Sequence, residues 1–506
     1  MKWLNLSIGL GVACVWAAAG CAEINPTPDY QRAAQRITEA TGQDDVYQPG
    51  DGDRIAETVA ELRVDGLTTD EAVRIALINN PTLQASFRKI GMAHADVVQS
   101  QLLSNPSVGI STQFPDGGGL VRVQGSFVQN LVDLWQLPLR KMVAERALSQ
   151  TILEVAQAAS NIAVDAKTAY YRAVAADELV KIAKQNRAAA EQLLELTESL
   201  RDAGAISGVD VNLSRTELQD VELALRFARL AAFEERGDLA RVLGLNVGPM
   251  GLVLTEAPPG PPDHAVRVED ILEAAAEHRM DIAAMEAALQ SLSANMELER
   301  KSVFQVVQIG VAFEREPRAA SSGGGVLAKT LGASLDAGRP ALPRTFDNQS
   351  DDAIFTIGPT LRVELPIFDQ NQAGIAKADL AYMQAVKEAE ALLLEITQDA
   401  RLAHERARVA WENSGFYRTE LLPLRNRNLE LAREAYRSGK ISLIEVLAAQ
   451  RTLQEAKAGQ MRALRDSALA WAEIERVTAS PMSRLLDEAK NDASGEQSSN
   501  EEEDSE

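Results

Sequence analysis

The chain has 506 residues, 46% of them hydrophobic but only 5% aromatic. It can bury a core, and its reliance on alanine and leucine suits long, closely packed helices. Its 73 acidic residues outweigh 51 basic ones, giving a net charge of −22. That balance argues against nucleic acid as a partner, which demands a basic surface.

At the N-terminus, Lys2 precedes an apolar run from Leu4 to Ala19. Such a run, about 16 residues long, is short for a membrane span and right for a signal-peptide core. Ala18-Ala19-Gly20-Cys21 looks like a lipoprotein cleavage site, so residues 1–20 read as a lipoprotein signal peptide. Cys21 then becomes the first mature residue and carries covalent lipid. The alternative is an ordinary secretory signal with Cys21 incidental. Cys14 is the other cysteine, so no disulfide framework exists. Ala22 and Glu23 supply no aspartate at the second mature position, the usual inner-membrane retention signal of such lipoproteins. The outer membrane is therefore the expected location, with 21–66 as an anchor segment. No later stretch is apolar enough for a helical span, so any crossing must use β-strands.

The first repeat, 67–257, opens with a helix predicted over about Thr69–Leu103, broken or kinked near Pro81 and stopped by Asn105-Pro106. Val108, Ile110, Thr112 and Phe114 then alternate with Ser107, Gly109, Ser111 and Gln113. A Pro115-Asp116-Gly117-Gly118-Gly119 turn follows, and Val121, Val123 and Phe127 alternate with Arg122, Gln124 and Ser126. From Leu139 to Arg201 an Ala-rich pattern runs nearly unbroken. At 1.5 Å per residue this helix would reach roughly 90 Å, too long for one globular domain and suited to a coiled-coil tube or stalk. Gly204 breaks it, and a returning helix stops at Gly244. Pro258-Pro259-Gly260-Pro261-Pro262 makes 258–265 a stiff linker.

The second repeat, 266–480, follows the same plan. A helix starts near Val268. Val307, Ile309, Val311 and Phe313 alternate with polar or small residues, as do Phe355, Ile357, Leu361 and Val363 after a long loop, 315–353. Helix is predicted from Ala373 to Gly415, with a pause near Pro423, then to Arg437. Gly439 breaks the chain, and the last helix runs from Ser442 to Val477. Residues 481–506 read as an acidic disordered tail. It holds seven carboxylates after Asn491, leaving −15 of the −22 elsewhere. The duplication shows directly in Gly204-Ala205-Ile206-Ser207 against Gly439-Lys440-Ile441-Ser442, 235 residues apart by their numbering.

Four strands with one apolar face suit an outer-membrane wall, but four cannot close a barrel and open edges cannot face lipid. Several copies must pool strands, and three would supply twelve. The other face carries Arg122, Gln124, Arg362 and Glu364, expected to line the lumen. At the two turns, Gly204 and Gly439 reverse the backbone. Ser207 and Ser442 can cap the returning helices, with Asp210 and Glu445 three residues on. His94, His264, His278 and His404 have no partners at metal-ligand spacing. Gly117-Gly118-Gly119 and Gly323-Gly324-Gly325 lack the lysine of a phosphate loop, and no catalytic constellation is visible. The chain is expected to be no enzyme and to need no cofactor.

Four segments together resemble the TolC-like outer-membrane factor family over nearly the whole mature chain. They are Leu67-Thr68-Thr69-Asp70-Glu71-Ala72-Val73, continuing to Asn79-Asn80-Pro81; Asn105-Pro106 before a strand; Gly358-Pro359-Thr360-Leu361-Arg362-Val363-Glu364-Leu365-Pro366-Ile367-Phe368-Asp369; and Ala435-Tyr436-Arg437-Ser438-Gly439-Lys440-Ile441-Ser442-Leu443-Ile444-Glu445-Val446. The resemblance implies a mainly α fold with a small β part. In it, a homotrimer forms a 12-stranded outer-membrane β-barrel that continues into a long periplasmic α-helical barrel. It implies a passive exit duct for substrates from an inner-membrane pump of the RND type, delivered through a periplasmic adaptor. The helical tips around Gly204, Ser207, Asp210, Gly439, Ser442 and Glu445 would contact that adaptor. Pro366-Ile367-Phe368-Asp369-Gln370-Asn371-Gln372 is similar to the heavy-metal branch, so metal cations are the expected cargo. Two other readings are a periplasmic adaptor, which usually carries one helical hairpin where this chain has two, and a structural coiled-coil lipoprotein without a pore.

Overall fold

The computed structural model describes residues 24–114, 121–246, 248, 251–262, 266–317, 334–336, 338 and 353–486. The expected signal peptide, Cys21, the two triple-glycine stretches, His264 and the acidic residues after Asn491 lie outside them. In chain order the elements are α1 (Thr27–Thr41), α2 (Gly52–Glu61), α3 (Thr69–Asn79), α4 (Pro81–Ser100), β1 (Ser107–Gln113) and β2 (Arg122–Asn130). Next come α5 (Asp133–Asp202), α6 (Gly208–Val242), α7 (Val268–His278), α8 (Met280–Lys301), β3 (Val307–Pro317) and β4 (Ala353–Val363). Then come α9 (Gln372–Phe416), a π turn (Tyr417–Leu421), α10 (Leu422–Arg437) and α11 (Leu443–Thr478).

These elements form two compact units, each drawn from both repeats. Among the described residues the first draws on 24–96, 145–289 and 384–486, and the second on 97–144 and 290–383.

In the first unit, alanine sets the packing. Ala156, Ala159, Ala163, Ala166, Ala169 and Ala173 recur every three or four residues along α5 and are all buried. That period puts them on one face, and their small side chains let neighbouring helices approach closely. A second Ala-rich core joins Ile271 and Ala274 of α7 to Ala400, Ala403 and Ala407 of α9 and to Ala470, Ile474 and Val477 of α11. The N-terminal helices are tied in by aromatic contacts. Tyr47 meets the Phe87 ring edge-on, with centroids 5.4 Å apart. Residues after α6 return to the start of the repeat, where the Leu67 N–H donates to the Val253 carbonyl at 2.7 Å. The buried Tyr170 hydroxyl clamps this crossing, donating to the Leu67 carbonyl at 2.8 Å and accepting from the Glu256 N–H at 3.0 Å. Burial raises the pKa of this phenol above its ordinary value.

The break expected near Pro81 is present, and two other helix boundaries differ from the spacing. Thr69–Ser100 is two helices, because Asn80 leaves helical geometry at ψ 119° and recaps the chain at Pro81. Its side-chain oxygen accepts from the N–H groups of Thr82 and Leu83 at 2.8 and 3.2 Å. α5 begins six residues before the expected Leu139 and takes in Pro138. Asp133 makes this possible by anchoring the first turn, as described below. The pause expected near Pro423 is a π turn through which helix continues. A wider turn is a natural place to absorb a proline that lacks an N–H and crowds the carbonyl four residues back.

The second unit holds one antiparallel sheet in the order β1-β2-β3-β4. Its two hairpins, one from each repeat, meet at β2 and β3, where Phe127 lies opposite Val311. β3 pairs with β4 over eleven residues, from Val307↔Val363 to Pro317↔Ala353.

Candidate functional site

Register and pleat sort the sheet's side chains into two unlike faces. Successive residues point to opposite sides, and directly paired residues share a side. One face therefore gathers Val108 and Ile110 of β1, Val123 and Phe127 of β2, Ile309, Val311 and Phe313 of β3, and Phe355, Ile357, Leu361 and Val363 of β4, with Thr112, Gln129 and Arg315 at its ends. This face is bare: Ile110 is 73% exposed and Ile357 65%. A soluble hairpin would bury such a face against a core. Gly125 sits within it because the Phe313 ring lies over its backbone, and a Cβ there would stand 2.1 Å from that ring.

The opposite face carries Ser111, Arg122, Gln124, Glu314 and Arg362. Gln124 donates to the Glu314 carboxylate at 2.7 Å, and Arg122 pairs with the same carboxylate at 3.3 Å. Arg122, Gln124 and Arg362 thus share the polar side, as the alternation predicts. Glu364 lies one residue past β4, its N–H donating to the Val306 carbonyl at 3.0 Å. Among the described residues, no strand pairs with the outer edge of β1 or of β4, and no helix is long and apolar enough to cross a membrane.

Where the hairpins turn into helices, polar contacts lock the junctions. Asp133, at the start of α5, is buried and accepts from the Ser104 N–H at 2.8 Å, from the Ser104 hydroxyl, and from Arg140 at 2.8 Å. Burial alone would raise its pKa, but these donors win and hold the carboxyl below the ordinary aspartate value. In the second repeat Asp369 accepts from Gln305 at 3.1 Å. Asn371, at φ +57°, donates to the Glu299 carbonyl at 2.9 Å.

The two tip turns belong to the first unit and are near-copies of each other. Gly204 and Gly439 both sit at φ +73°, a left-handed conformation that glycine adopts without cost. The Ala205 N–H reaches back to the Leu200 carbonyl at 2.9 Å, and the Lys440 N–H to that of Ala435 at 2.9 Å. This is the Schellman closure of a helix C-terminus. Ser207 then caps α6, its hydroxyl accepting from the Asp210 N–H at 3.4 Å while Asp210 accepts from the Ser207 N–H at 3.1 Å. At the other turn Glu445 accepts from the Ser442 N–H at 3.0 Å. The structure brings the turns together. Burial, and then the charge of Asp210, raises the pKa of the Tyr436 phenol beside Gly439.

Sequence spacing gave no sign of one strong link between the returning helices. Arg451 of α11 donates to Glu217 of α6 at 2.7 Å. The Glu217 side chain is 3% exposed and would be an uncompensated buried charge without that partner. His94 bonds Asp29 at 2.6 Å and His404 bonds the Val266 carbonyl at 3.0 Å, so both are packing residues. Among the described residues no three His, Cys, Asp or Glu side chains are grouped to hold a metal.

A sheet that exposes its apolar face and, among the described residues, pairs with no further strand at either edge, together with long Ala-packed helices, defines the class: a mainly α chain whose small sheet is left for something else to complete. The comparisons agree. Residues 271–480 match the family model for outer membrane efflux protein. The cobalt-zinc-cadmium resistance protein CzcC of Cupriavidus metallidurans is 22% identical over 418 residues, covering 81% of this chain and 90% of that protein. The structure of CusC, described in relation to folding and transmembrane channel formation, superposes with a TM-score of 0.62 at 17% identity, over 81% of this chain and 91% of that one. The CmeC outer membrane channel of Campylobacter jejuni gives a TM-score of 0.62 at 14% identity, over 86% and 88%. Residues 271–480 thus match the outer membrane efflux protein family, and the chain shares the fold of CusC and of the CmeC outer membrane channel.

Proposed function

We propose that three copies pool their sheets into one twelve-stranded barrel in the outer membrane. The barrel serves as the passive exit of a tripartite pump. The observation that carries this reading is the four-stranded sheet with two unpaired edges and a bare apolar face. Lipid offers no hydrogen bonds to open edges, so closure with identical copies is the stable solution. Purified mature protein reconstituted in a planar bilayer is expected to give stepwise single-channel conductance. A preparation that binds membranes without conducting would contradict the duct.

On this reading Cys21 carries lipid that anchors each copy to the outer membrane, with most of the chain in the periplasm. A Cys21→Ala variant is then expected to lose incorporated palmitate. The turns at Gly204, Ser207, Asp210 and at Gly439, Ser442, Glu445 meet a periplasmic adaptor, which hands over substrate from an inner-membrane pump of the RND type. Gly204→Val and Gly439→Val should leave assembled channels in the membrane and abolish efflux. Full efflux in both variants would remove the tips from the docking surface. The likeness to CzcC and the chain's acidic excess favour divalent heavy-metal cations as cargo. Deleting the gene should sensitise cells to cobalt, zinc or cadmium, and sensitivity to lipophilic drugs alone would reassign the cargo.

A further inference from the structure

The segment joining β4 to α9 presents its apolar residues to solvent in an ordered loop. Phe368 is 91% exposed, and Leu365 and Ile367 are also exposed. Polar groups of the same loop are tied down by hydrogen bonds. Besides the Asp369 and Asn371 bonds already described, the Gln372 side chain donates to the Phe368 carbonyl at 3.1 Å, and the Ile367 N–H donates to the Leu365 carbonyl at 2.8 Å. The loop is thus held in a shape that turns its apolar residues outward.

Height along the barrel wall says what covers them. On β4 the bare apolar face runs from Phe355 to Val363. At about 3.4 Å per residue and a strand tilt of about 40°, that stretch covers about 21 Å of membrane height. A barrel's apolar band is about 25 Å tall and is rimmed by aromatic girdles. The Glu364 N–H still pairs with Val306, so the alternation carries Leu365 onto the same face as Val363. Leu365 brings the band to about 26 Å, and Ile367 and Phe368 fall at its helix-side rim. The first repeat repeats the arrangement at the same end of the sheet. There, beyond β2, Leu134 is 67% exposed beside the half-buried Trp135.

We propose that the Leu365–Phe368 loop is a membrane-interface anchor: it continues the lipid-facing wall past the strand end and seats Phe368 in the periplasmic leaflet of the outer membrane. The proposal rests on the reading that the sheet's apolar face meets lipid. Continuity with that face and the missing height favour lipid over a neighbouring copy as the occupant.

Tryptophan quenching by lipid tests it. Ile357→Trp on the wall and Phe368→Trp on the loop are each reconstituted in phosphatidylcholine vesicles whose acyl chains are brominated near the headgroup. Emission of the unsubstituted protein is subtracted. Phe368 is almost fully exposed, so its replacement leaves no cavity. The expected result is that Phe368→Trp loses as large a share of its added emission as Ile357→Trp. Quenching of Ile357→Trp alone would overturn the anchor and leave the wall standing. In that case a blue-shifted, unquenched Phe368→Trp would assign the loop to a neighbouring copy. Absence of quenching in both variants would remove the wall as well as the anchor.

Discussion

The two repeats close the same helix junction with different chemistry. In the first, Asn80 kinks the chain between α3 and α4. In the second, Arg279 does so between α7 and α8 with nearly the same backbone, φ −66° and ψ 119° against φ −69° and ψ 120°. Each kink sits against the end of a returning helix. Asn79 donates to the carbonyls of Leu243 and Gly244 at 2.9 and 3.0 Å, and Asn80 to that of Val242 at 2.8 Å. Arg279 alone reaches the Val477 carbonyl, at 3.2 Å, while pairing with Asp281. A left-handed residue closes both helix ends, Gly244 at φ +66°, two residues past α6, and Ala479 at φ +50°, directly after α11. The duplicated fold thus conserves backbone angles and leaves the side chains that enforce them free to differ. Two short amides require close approach and therefore glycine, whereas one long guanidinium leaves room for a methyl group.

Five substitutions would break, sharpen or extend that contrast. Gly244→Ala should cost the most. Its Cβ would stand 2.6 Å from the Asn79 carbonyl oxygen in a left-handed conformation, and about 3 kcal/mol of stability should be lost. Thermal unfolding of the detergent-purified protein would show this as a clear fall in midpoint. Asn80→Ala removes a helix cap and the donor to Val242 together, for about 2 kcal/mol. Arg279→Ala, which frees one carbonyl, should cost less, about 1.5 kcal/mol. Equal losses would show that the two junctions are not built differently.

Asp133→Asn extends the comparison to the strand–helix junctions, where the first repeat relies on a buried carboxylate. The folded pKa of Asp133 is depressed, so its stabilisation is present above the unfolded value of about 3.9 and is lost as pH falls through the folded value. The variant should be about 1.5 kcal/mol less stable at pH 7, and the gap should close as pH falls below the ordinary aspartate range and through the depressed folded value. A gap that is constant with pH would assign the effect to shape rather than charge. Ala479→Gly should change least, within about 0.5 kcal/mol. Relief of the left-handed strain is offset by glycine's chain entropy and by a lost buried methyl. A change as large as that of Gly244→Ala would make the two turns equivalent.

What the sequence disclosed follows from periodicity. The period-2 alternation placed Ile110, Phe127, Ile357 and Arg362 on their faces before any pairing was known, and glycine with serine three residues on located both tips. Three kinds of feature had no local signature. Glu217 and Arg451 meet across helices far apart in the chain, and neither residue's neighbours announce the pair. The Tyr170 clamp on Leu67 and Glu256 depends on a crossing that only the folded chain creates. The π turn before Pro423 depends on helix continuing on both sides, and a proline in isolation reads as a stop.

The central claim is that bare strand edges are completed by copies of this same chain. The most direct measurement is the mass of the purified mature protein by native mass spectrometry from detergent, with the detergent stripped in the gas phase. The account predicts a complex of three chains that falls apart to unfolded subunits on heating. A single chain that stays folded and soluble in water without detergent would contradict it.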